Sequence, residues 1–85
     1  MYFRVNHTIS DPTAFWGRAK EALPNLPAGI KIHGVYPDET MGLATCIWEA
    51  ESHAQLHAFL ETNTGDVAKN DYMAINAANA MGLPK

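Results

Sequence analysis

Residues 2–9 alternate, and that alternation constrains everything downstream. Phe3, Val5, His7 and Ile9 fall on one side, and Tyr2, Arg4, Asn6 and Thr8 on the other. A period of two, carried by aromatic and β-branched residues, predicts a half-buried strand. Such a strand needs neighbouring strands for its backbone groups and a hydrophobic layer for one face. Ser10-Asp11-Pro12 stops it. Asp11 suits an N-cap, and Pro12 suits the first helical turn, where no N–H is needed. Phe15, Ala19, Ala22 and Leu23 then form one apolar stripe, which predicts a helix over about 12–23 closed by Pro24.

The same two periods recur along the chain. Residues 24–29 read as a rigid loop and residues 30–36 as a second strand. In that strand Ile30, Ile32, Gly34 and Tyr36 alternate with Lys31, His33 and Val35. Residues 37–42 are turn-rich and join it to a third strand over 43–50, apolar enough to be central. Leu43, Thr45, Ile47 and Glu49 form one face of that strand, and Ala44, Cys46, Trp48 and Ala50 the other. Ser52 with Gln55 three residues on is a capping box, followed by Leu56, Phe59 and Leu60 on one helical side. The helix is expected to end near residues 63–65, with a fourth strand over 72–76. A last helical turn is expected through Ala77–Met81, ending at Gly82. The order β-α-β-β-α-β is the ferredoxin-like α+β unit, a four-stranded antiparallel sheet with both helices on one face.

With 85 residues, one domain spanning 1–85 is expected. A domain of this size buries only about 60% of its unfolded surface, so its core needs supplementing. Cys46 is the single cysteine, which excludes an internal disulfide and a thiolate zinc site. Oligomerisation is the supplement that remains. The net charge is −3 and the six basic residues are scattered, which disfavours nucleic acid as a partner. No apolar run is long enough for a membrane span, and the N-terminal residues show no secretory pattern. A soluble, cytoplasmic protein with one reduced cysteine is the expectation.

Two helices cover one face of the sheet, so the other must be polar or be covered by a partner. Arg4, Asn6 and Thr8 alternate onto one face, where with Tyr36 and Tyr72 they read either as an ordinary dimer interface with satisfied polar groups or as the rim of a pocket for a small acidic or phenolic ligand. Trp48 is placed with this ligand-binding set and also reads as a packing residue. The histidines are the candidate acid–base groups. His7 shares the alternation of Phe3 and Val5, so it reads as a hydrogen-bonded residue at the core edge or as a base. His33 reads as an exposed strand residue or as a base in a cleft. His53 and His57 share a helix face without the glutamate of the helical zinc motif, so no metal site is expected. Cys46 reads as a small buried hydrophobe.

The order of elements, with the segment Cys46-Ile47-Trp48-Glu49-Ala50-Glu51 running straight into a capped helix, resembles the dimeric α+β-barrel superfamily. More narrowly, it is similar to that superfamily's small bacterial families catalogued as domains of unknown function. The resemblance implies a homodimer whose sheets face each other, with a cavity beside the sheet. It implies a protein that binds a small organic ligand or serves as a structural or stress-related module, with no cofactor. The alternative it implies is a cofactor-independent monooxygenase, isomerase or cyclase using His33 or His7 with Asn6. The haem-degrading members line one pocket with an Asn, a Trp and a His, for which this chain could offer Asn6, Trp48 and a histidine. One fold serves all these activities, so the fold alone does not choose among them.

Overall fold

The computed structural model describes residues 1–84. Four strands and two helices follow the expected order. They are β1 (Tyr2–Ile9), α1 (Pro12–Ala22), β2 (Lys31–Pro37), β3 (Leu43–Glu49), α2 (His53–Thr64) and β4 (Ala68–Ala74). The strands form one antiparallel sheet in the order β2-β3-β1-β4. This is the ferredoxin-like βαββαβ fold. Among the described residues, no helix is long and apolar enough to cross a membrane.

Both helix starts follow their capping residues. Asp11 accepts a hydrogen bond from the Ala14 backbone N–H at 3.1 Å. Ser52 Oγ accepts from the Gln55 N–H at 3.0 Å, and the Gln55 side chain accepts in return from the Glu51 N–H at 2.9 Å. The reciprocal bond thus falls one residue before the cap. Pro24 ends α1 as expected, but the chain first tightens into a single 3-10 turn over Leu23–Asn25.

The core lies between the sheet and the helices. Phe3, Val5, Cys46, Trp48, Leu56 and Leu60 are buried together, with Leu56 at 0% exposure. A smaller cluster of Ile9, Phe15, Ala44, Val67 and Ala68 closes the other end. Arg18 on α1 bonds both the Asn63 carbonyl and the Asp66 carboxylate, joining α1 to the end of α2. Trp16 donates its indole N–H to the Met41 carbonyl at 2.9 Å, pinning the β2–β3 hairpin to α1.

Three expectations are corrected. The fourth strand starts at Ala68, not at residue 72, because Ala68–Ala74 pairs with β1 from Ile9 to Phe3. The Lys-Asn-Asp run has poor strand propensity, and pairing with a central strand overrides it. Residues 77–81 form a turn rather than a helical turn; the Asn79 N–H reaches Asn76 O at 3.2 Å and the helix goes no further. In β2 the alternation breaks at His33, an extra residue in the ladder with β3. Beyond this bulge Val35 opposes Cys46, while before it Ile32 opposes Trp48. Ile32 and Val35 therefore share the helix-facing side, which strict alternation separates.

Candidate functional site

The sheet sorts the candidate residues into two groups that do not meet. On the helix side stand His7, Trp48 and Tyr72; on the open side stand Arg4, Asn6, Thr8, His33 and Tyr36. Asn6 and Trp48 lie on opposite faces, so the trio of Asn, Trp and His is not assembled, and neither is a pairing of His7 with Asn6. Tyr72 is opposite Val5 in the β1–β4 register, which takes it away from Arg4.

The helix side holds a chain of four polar groups. His7 is 3% exposed, and its Nδ1 lies 2.5 Å from Asn70 Oδ1. The Asn70 amide donates to Glu61 Oε2 at 2.7 Å, and the Tyr72 hydroxyl donates to the same oxygen at 2.6 Å. A carboxylate can only accept, so the Asn70 NH2 must face Glu61 and its oxygen must face His7. His7 therefore carries its proton on Nδ1. Burial lowers the His7 pKa, against the upward pull of the Asn70 hydrogen bond and the Glu61 charge. The bonds from Tyr72 and Asn70 hold the Glu61 carboxyl below its usual value. Burial, and then the bond to Glu61, push the Tyr72 hydroxyl up.

Sequence reasoning missed Asn70 and Glu61. Glu61 stands one turn beyond His57 on α2, a visible spacing, but its partners depend on the β4 register, which composition misplaces. His53 and His57 lie above the Tyr72 ring, each with its centroid 5.2 Å away, and both are exposed. Among the described residues, no three His, Cys, Asp or Glu side chains gather to hold a metal ion. The cavity beside His7, bordered by Phe15, Cys46 and Trp48, has a volume of only ≈ 30 Å3. That is room for a water or two. Burial pushes the Cys46 thiol up to about 11, so it is a neutral hydrophobe and not a nucleophile.

The open face is more spacious. Period two puts Arg4 between its cross-strand neighbours Ile47 and Met73. The bulge lets His33 reach Glu49, Nε2 to Oε1 at 2.8 Å, and that contact holds the Glu49 carboxyl below its usual range. Asn6 is already engaged, its oxygen accepting from the Thr45 hydroxyl at 2.9 Å. Thr8 stands exposed near the strand end, opposite Leu43 and Lys69. The Tyr36 ring folds back over Gly34, so that a Cβ there would lie 2.6 Å from it and would displace this exposed ring.

Beyond β4 the chain turns back over this face. The Ile75 N–H donates to Tyr2 O at 2.9 Å, and the Tyr2 hydroxyl donates to the Pro84 carbonyl at 3.1 Å. Between residues 80–84 and the sheet lies a cleft of ≈ 550 Å3, floored by Arg4, His33, Tyr36, Ile47 and Met73. The expectation that this face is either polar or covered by a partner is thus incomplete, because the chain's own C-terminal segment covers part of it.

No protein-family model matches this chain, and no curated protein or solved structure matches it.

Proposed function

We propose that this protein is a binding module for a small organic ligand, held in the cleft between the open sheet face and residues 80–84. The observation that carries this reading is the lining of the open-face cleft, since grooves of similar volume, ≈ 510 and ≈ 590 Å3, lie elsewhere on the surface. The open-face cleft has a volume of ≈ 550 Å3, within the range of small-molecule sites, whereas the cavity beside His7 has ≈ 30 Å3. The floor also mixes apolar side chains with a few polar groups, the usual make-up of such sites.

The same reading includes a homodimer of the α+β-barrel type. Tyr36 is 61% exposed and Leu43 51%, both on the open face, and a chain of this size gains stability by covering them. A second copy would cover the part of the face that the C-terminal segment leaves bare.

The test is a fragment screen by amide NMR on the full chain, with the molar mass measured by light scattering. Shifts that cluster at Arg4, Ile47, Met73 and residues 80–84 are expected, in a particle of twice the 9.3 kDa chain mass. Shifts confined to the surroundings of His7, or none at millimolar fragment, would overturn the ligand reading. A monomer at 100 μM, a concentration chosen for the assay at about the working range of weak dimers, would remove the dimer.

A further inference from the structure

The cleft has the chemistry of a carboxylate site, and Arg4 is its centre. Among the described residues whose side chains line the cleft, Arg4 alone is permanently charged, and none is acidic. His33, the other basic group there, is already bonded to Glu49 at 2.8 Å. Arg4 is much less engaged. Its one ionic contact among the described residues is Nη2 to Asp71 Oδ2 at 3.9 Å, the Asp71 side chain being 75% exposed. Its Nε–H is enclosed, without an acceptor among the described residues and out of a ligand's reach. The Nη groups at the tip of this half-buried side chain are the donors that a ligand in the cleft would meet.

The rest of the wall decides what the anion is attached to. Ile47, Met73, Ile75 and Leu83 are apolar, and the Tyr36 ring stands among them. A phosphate is commonly held by the backbone N–H groups of a helix start, and neither helix start borders the cleft. A single negative charge on a planar carboxyl needs only the fork of one arginine.

We infer that the cleft takes a small monocarboxylate with a flat apolar body, that Arg4 is its specificity-determining residue, and that Asp71 competes with the ligand for the guanidinium. This rests on the open-face binding reading above and names the class of ligand for it.

The experiment is an amide NMR titration of the full chain with three probes: benzoate, benzyl alcohol and inorganic phosphate. Benzoate is expected to saturate at the cleft amides and to bind at least about tenfold tighter than benzyl alcohol, the typical worth of a charged hydrogen bond. Arg4→Gln should weaken benzoate by about tenfold or more and leave benzyl alcohol unchanged, with Arg4→Lys in between. Asp71→Asn should tighten benzoate. The amide spectrum of each variant reports whether it folds, and Asp71→Asn keeps the test open should Arg4→Gln fail to fold. If benzyl alcohol binds the cleft as well as benzoate, or Asp71→Asn leaves benzoate unchanged, the carboxylate assignment is wrong while the cleft still stands. Phosphate as strong as benzoate likewise overturns the assignment, by making this a bare anion site. If none of the probes moves the cleft amides, the assignment falls, and the fragment screen then decides the binding reading itself.

Discussion

Replacing Asn70 by alanine should damage this protein out of proportion to the size of the change. The Asn70 amide bridges two groups that cannot otherwise reach each other, His7 Nδ1 at 2.5 Å and Glu61 Oε2 at 2.7 Å. Its loss strands a donor on a residue that is 3% exposed. A buried donor left without an acceptor costs about 1–3 kcal/mol. The Glu61 end is nearer solvent and keeps Tyr72, so it adds about 0.5–1 kcal/mol. Together these give about 1.5–4 kcal/mol, which for a domain of this size lowers Tm by roughly 6–30 °C. Urea and thermal unfolding of Asn70→Ala at pH 8, followed by far-UV circular dichroism, measure it. The pH dependence supplies an independent check. Burial holds the folded-state pKa of His7 below its ordinary 6.5, so between those two values the unfolded chain binds more protons. Stability is therefore fully present above pH 6.5, falls as the pH drops through that value, and levels off below the folded pKa. His7→Phe should flatten this slope. A loss under about 0.5 kcal/mol in Asn70→Ala would refute the bridging role, and wild-type stability flat from pH 7.5 to 5.5 would refute the burial of His7 as the dominant influence on its pKa.

Three further outcomes are expected. Cys46, buried and with its thiol pushed up to about 11, should resist a thiol-specific disulfide reagent at pH 8 until urea unfolds the chain, which absorbance of the released product reports. Leu56→Ala removes a side chain with 0% exposure from the main core and should cost about 2–5 kcal/mol, enough to leave much of the protein unfolded at 37 °C by circular dichroism. Ser52→Ala removes the acceptor for the Gln55 N–H and should cost about 1 kcal/mol in urea unfolding, with Ser52→Asp restoring most of it.

The element order was legible because hydrophobic period is a local property. Residues 2–9 state their two faces outright, and Arg4, Asn6 and Thr8 share the open one. What was not legible depends on partners remote in sequence. The bulge at His33 shifts β2 by one residue, and only the ladder with β3 reveals it. The start of β4 depends on the backbone edge that β1 presents, not on Lys69, Asn70 and Asp71, whose types suggest a loop. That one register decides that Tyr72 faces the helices and that Asn70 meets His7, so a misplaced strand conceals the polar chain. The cleft was hidden for a similar reason: nothing in Ala80–Pro84 announces that it doubles back to Tyr2.

The sheet order β2-β3-β1-β4 also sets the timing of folding. The N-terminal strand occupies an interior position, and both of its neighbours come late. Thr8 meets Leu43, 35 residues on, and Phe3 meets Ala74, 71 residues on. Loops of that length must close before any pairing rewards them, which places this chain among the slower folders of its size. During synthesis β1 leaves the ribosome well before either neighbour and keeps an unpaired edge until residue 74 follows. The alternating apolar face of residues 2–9 is therefore a segment that a holdase chaperone would cover in the meantime.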